Sequence, residues 1–180
     1  MNGNQPAETT SVSSPPPEPW LRGTLTEIPA VPRAVLHALE LAREDLQKWC
    51  GALTDAELNA RPADLPSVAF HIRHIARSLD RLLTYAEGRA LTHEQLAALQ
   101  EEMDTRANRD ALFAELTSAL TQSAERVRAI ALTDLEQSRS VGKKRLPTSV
   151  GGLLVHMADH TQRHIGQAVT TAKILMAKRG

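Results

Sequence analysis

The sequence predicts an all-α fold, a four-helix bundle with short extra helices. Three observations carry that expectation. Four long stretches place apolar residues three and four apart, the period of a helix that buries one face. No strand-like alternation of useful length interrupts them. Aromatic residues make up 3% of the chain, and an all-β core usually draws on more rings than that.

The elements follow in order. The chain has 180 residues and a mass of 19.7 kDa, which suits one domain. Residues 1–20 hold Pro6, Pro15, Pro16, Pro17 and Pro19, half of the ten prolines, with Ser, Thr and Glu between them. Such a segment buries too little apolar surface to order itself, so it reads as a disordered tail ahead of a domain at 21–180. Trp20 and Leu21 mark the junction. From Val31 the apolar positions are Val35, Leu39, Ala42, Leu46, Trp49 and Leu53, with Pro32 in the first turn and Gly51 at the end. Thr54-Asp55-Ala56-Glu57 is a capping box that opens a short helix before Pro62. The second long helix runs from Ser67 to about Gly88, with Val68, Ile72, Ile75, Leu79, Leu82 and Ala86 on its apolar face. Thr92-His93-Glu94-Gln95 opens another short helix towards Met103. Asn108 caps the third long helix, whose stripe is Leu112, Leu116, Leu120, Val127 and Ile130. Residues 133–147 are polar and read as a connector. The last helix runs from Ser149 to about Ala177, with Leu153, Met157, Ala168, Ala172 and Leu175 inward. Helices of this kind bury their stripes most economically against one another.

Composition also excludes functions. Lys plus Arg number 21, as do Asp plus Glu, so the net charge is zero. A general electrostatic grip on nucleic acid or an anionic membrane needs a basic excess. Lys143-Lys144-Arg145 is too short a run to change that, and reads as a solvated loop. No signal peptide and no membrane span is evident. Cys50 is the single cysteine; with no disulfide to form, it fits a cytoplasmic protein and reads as a plain buried thiol.

The chemistry lies in the histidines. His71 and His74 fall on the second long helix, and His156, His160 and His164 on the fourth. Only His37 and His93 stand apart. Neutral imidazole is a common ligand for zinc and related metals. Residues four apart share a helix face at about 5–6 Å between Cβ atoms, so His160 and His164 can hold one ion, with a third ligand from the facing helix. Periodicity slightly favours His71 for that third place, and His156–His160 competes with His160–His164. Spacing does not choose between them.

The segments SVAFHIRHIARSLDRLLTYAEGR and GGLLVHMADHTQRHIGQAV resemble the DinB/YfiT-like family of metalloenzymes. The first supplies the family's helix histidine, followed here by HIARSLDRLL. The second supplies its H-x-x-x-H-x-G-Q ending, here His160 to Gln167. The resemblance spans about residues 30–177. It implies a four-helix bundle that holds a divalent metal, zinc or nickel, on His74, His160 and His164, with water in the open positions. It moves the third ligand from His71 to His74. His71 and His156 then become flanking residues, packing or supporting the ligands. Gln167 matches a residue common in the family, which orients a ligand, binds substrate or satisfies backbone groups. Gly166 marks a close helix approach.

The activity implied is activation of a low-molecular-weight thiol or of water, in a transferase or hydrolase acting on an unidentified small molecule. A non-catalytic metal-binding or stress-linked interaction bundle is the alternative, and an exposed apolar helix edge would suit a homodimer. Arg73, Arg77, Arg81 and Arg163 stand near the motif as carboxylate binders or as a solvated face. Ser78 and Tyr85 share the His74 flank, lining a pocket or packing beside it.

Overall fold

The computed structural model describes residues 16–103 and 106–179. Its helices begin and end where local chemistry directs. Helix α1 (Ala30–Cys50) starts after Pro29 and stops at Gly51. The capping box of α2 (Asp55–Asn59) is made in full. The Glu57 N–H donates to Thr54 Oγ1 at 3.3 Å, and the Thr54 N–H donates to Glu57 Oε2 at 2.8 Å. Helix α3 (Val68–Ala86) opens on Ser67, whose Oγ accepts the Phe70 N–H at 3.1 Å. Thr92 and Gln95 box the start of α4 (His93–Gln100), which tightens into a 3-10 turn at Glu101–Met103. Asn108 caps α5 (Arg109–Ile130) and Ser149 caps α6 (Val150–Ala177), so five otherwise orphaned helix starts are closed by side-chain oxygens one turn away.

The expected connector contains a small sheet. Residues Ser138–Val141 (β1) and Leu146–Ser149 (β2) pair antiparallel, with Ser138 opposite Ser149 and Val141 opposite Leu146. This refines the reading of residues 133–147 as a plain polar connector and leaves the all-α class unchanged. The strands are four residues each and polar or half-buried on both faces, so they show no alternation. Gly142 (φ +71°) takes the left-handed backbone conformation that lets the hairpin turn, and Arg145 (φ +50°) follows it there. Arg139 fastens the hairpin to the bundle by donating through Nε to the Ala86 carbonyl, 2.7 Å away at the end of α3. Lys143, Lys144 and Arg145 are exposed at its tip.

The four long helices are neighbours in the order α1, α6, α3, α5 around the bundle. Consecutive long helices are therefore not always adjacent, and the connections cross over. The ordering sets α3 beside α6, the two helices that carry the clustered histidines. Leu39, Ala42 and Leu46 of α1, Ile72, Ile75, Leu79 and Leu83 of α3, Leu116, Leu120 and Val127 of α5, and Leu154, Met157, Ile165 and Ala168 of α6 close the core between them. Cys50 is buried with them, and burial, with the Asp45 charge, pushes its thiol up to about 12, so it is not a nucleophile at neutral pH.

Much of the expected tail, residues 1–15, falls outside the described residues. Pro19–Leu21 form a short 3-10 turn with Pro19 buried, while Trp20 and Leu21 are exposed. Arg22 follows and ties this entry to α1 through Glu40 and Glu44. Among the described residues, no helix is long and apolar enough to cross a membrane.

Candidate metal centre

His74, His160 and His164 meet where α3 crosses α6, each offering a ligand atom within 4.8 Å of the others. Their ring centroids stand 4.4 Å (His74–His164), 4.6 Å (His160–His164) and 5.0 Å (His74–His160) apart. The Nε2 atoms of His74 and His160 are 3.2 Å apart. Two imidazole nitrogens on one tetrahedral zinc ion, each at about 2.0–2.1 Å, would stand about 3.3 Å apart. All three rings are half-buried, so their environment is neither core nor open surface.

The surroundings prepare these rings as ligands. The Nδ1 of His74 lies 2.6 Å from Glu102 Oε2. A carboxylate accepts only, so His74 donates its Nδ1–H, and its Nε2 keeps a lone pair. That is the carboxylate–histidine arrangement that commonly supports a metal ligand. His71 Nδ1 lies 3.0 Å from His164 Nδ1. When His164 is the donor there, its Nε2 also presents a lone pair. The Nδ1 of His160 is buried with no hydrogen-bond partner. Donating its Nε2–H to His74 leaves an unpaired lone pair at Nδ1 rather than an unpaired N–H, the milder of the two costs.

Electrostatics keep His71, His160 and His164 neutral. Burial first, then the neighbouring imidazoles and, for His160 and His164, the Arg163 charge, hold His71, His160 and His164 down to about 4. These rings are uncharged at neutral pH, each keeping one N–H and one lone pair, and the lone pair is what metal ligation requires. Burial would raise Glu102, but its hydrogen bonds from His74 and Arg81 outweigh that and hold it below the usual carboxylate range. A stability consequence follows with a definite sign. In the unfolded chain these histidines take up protons near pH 6.5, while in the fold they resist until about 4. Their contribution is complete above pH 6.5 and is lost as the pH falls towards 4. The metal-free protein should therefore lose melting temperature steadily as the pH falls from 6.5 towards 4.5. A flat profile across that window, read by scanning calorimetry, would show that the rings are not desolvated as described.

The other expected residues sort clearly. His71 is buried at the core side of the cluster, which is what periodicity detected, and touches His164 rather than joining the trio. His156 is exposed and its ring lies 5.5 Å from that of His160. His37 is buried elsewhere beside Thr24, and His93 is exposed at the start of α4. Gly166 does not mark a close helix approach: it is exposed, and nothing lies within 4 Å of where a Cβ would stand. Gln167 is exposed as well.

The arginines are clamps within the fold rather than a solvated face. Arg77 donates to Glu115 (2.9 Å) and to the Ala98 carbonyl (2.6 Å), and Arg81 donates to Glu102 (2.6 Å). Arg163 alone stays outside, paired with Asp159 on α6. Ser78 is buried and donates to the Ile75 carbonyl. Tyr85 faces the hairpin, lining a cavity with Arg89 and Arg139. Glu102 is the residue that sequence reasoning missed. It follows Glu101 in a polar run, and pattern gives no way to tell the buried carboxylate from the exposed one beside it.

Residues 38–168 match the family model described as the DinB superfamily. No curated protein matches the chain.

Proposed function

The chain belongs to the DinB superfamily, and on that footing we propose that His74, His160 and His164 bind one divalent metal ion. The ion would activate a small thiol or a water molecule. The convergence of three imidazoles, one already oriented by a buried carboxylate, carries this reading. Imidazole suits zinc and nickel equally, so supply decides between them. A divalent ion held by three neutral ligands keeps its full charge and open positions, and so lowers the pKa of a bound water or holds a thiol as thiolate.

The protein's own residues set the conditions. Glu102 accepts the hydrogen bond from His74 Nδ1–H and fixes which nitrogen faces the site. His71 does the same for His164. The half-buried rings leave access from the surface, where a small molecule can reach the open positions. A second reading, a metal-binding bundle without catalysis, is favoured by one observation. The cavity of about 280 Å³ between α3, α4 and α5 is lined by Arg77, Arg81, Gln95, Ser123 and Arg126, and by none of the three histidines.

Metal content by mass spectrometry, on tag-free protein prepared without chelator, tests the site. About one divalent ion per chain is the expected result. No metal, and none taken up from added zinc, nickel or manganese, would end both readings. With metal bound, turnover of an electrophile in the presence of small thiols separates the enzyme from the passive binder.

A further inference from the structure

We propose that Glu102 is the positioning residue of the metal site, and that metal occupancy is coupled through it to the docking of α4 and the Glu101–Met103 turn. The inference rests on the three-histidine reading and goes beyond it.

The argument begins with how this segment is held. Helix α4 buries none of its residues, and Leu96, Leu99 and Met103 face solvent. Within the Glu101–Met103 turn only Glu102 is buried, at 3% exposed. No apolar side chain therefore anchors the stretch 93–103. What holds it is a row of polar contacts from one helix, α3. Gln95 donates to Asp80 and Thr84, Arg77 to the Ala98 carbonyl, and Arg81 to one oxygen of Glu102. His74 donates to the other oxygen at 2.6 Å. Glu102 is thus the only point at which this segment touches one of the three clustered histidines through a hydrogen bond among the described residues.

The two ends of that bond act on each other. A cation on His74 Nε2 withdraws electron density from the ring and makes its Nδ1–H a stronger donor, so occupancy tightens the grip on Glu102. By linkage, a docked Glu102 raises metal affinity by the same factor. A segment held only by polar contacts is also the kind that opens locally at low cost. Local opening of residues 93–103 should therefore be suppressed by metal.

The test uses the full chain and zinc as probe. Zinc affinity is measured by chelator competition, and amide exchange over residues 93–103 is followed with and without zinc. In the wild type, zinc should slow exchange in this stretch. Glu102→Gln keeps the shape but removes the charge. It should bind zinc about 10–100-fold more weakly, and its exchange over 93–103 should no longer respond to saturating zinc. Arg77→Ala releases the same segment at Ala98 without touching a histidine. It should speed exchange in the metal-free protein and weaken zinc binding by a smaller factor, which keeps the test open if Glu102→Gln folds poorly. A purely structural Glu102 would raise exchange equally with and without zinc and leave the affinity unchanged, overturning the proposal. A wild type that takes up no zinc would overturn the site itself, a distinct result.

Discussion

His160→Ala should abolish the thermal stabilisation that zinc confers, with the bundle intact. At zinc concentrations near 100 times Kd, a ligand specific to the folded state adds about 2.7 kcal/mol. For a chain of this size that is a rise of about 5–10 °C in melting temperature. The wild type should show it and the variant should not. The choice of residue follows from the contacts. His160 Nε2 faces His74 Nε2 at 3.2 Å, and its buried Nδ1 bonds to nothing. Truncation therefore removes a ligand while breaking one hydrogen bond, and far-ultraviolet circular dichroism should stay helical. His156→Ala is the matched control, because His156 shares the helix face but is exposed. It should keep the full zinc response. Loss of the response in His156→Ala and its survival in His164→Ala would mean that His156–His160, not His160–His164, is the i, i+4 pair that holds the metal.

That assignment shows how far sequence can go. Apolar stripes and capping residues are local signals, and Thr54, Ser67, Thr92, Asn108 and Ser149 each open a helix where their spacing placed it. The hairpin was illegible because its strands are four residues long and neither face is buried, so no period of two can form. The site was legible in part. His160 and His164 share a face through helical geometry alone, but the third partner depends on how α3 rotates against α6. Periodicity measures burial, and by burial His71 does face inward more than His74. The three-histidine cluster takes in a half-buried ring, His74, rather than the buried His71, and the motif resemblance, not the wheel, pointed to it. Glu102 was invisible for a different reason. Its burial arises from two long-range partners, His74 and Arg81, and neither leaves a mark on the residues around it.

Leu79→Ala should do the reverse of His160→Ala. Leu79 is fully buried in the α3 face of the core. Replacing a buried leucine by alanine costs about 2–5 kcal/mol, the lost burial plus the cavity left behind. In a chain of 180 residues, each kcal/mol moves the melting temperature by about 2–4 °C, so a fall of about 4–20 °C is expected. Zinc binding should survive it. Leu79 lies five residues beyond His74, which places the two side chains about 140° apart around the helix. One face of α3 thus anchors the bundle and another presents the ligand and the arginine clamps. The two variants should cross: one loses stability and keeps the metal response, the other keeps metal-free stability and loses the response. If Leu79→Ala abolished zinc uptake as well, the ligand geometry would depend on core packing rather than on Glu102 and the α6 face. Metal binding would then be inseparable from folding, as in sites that form only with the fold. The hydrogen bonds at His74 and His164 argue instead for a site set by its immediate neighbours, which a softened core can still carry.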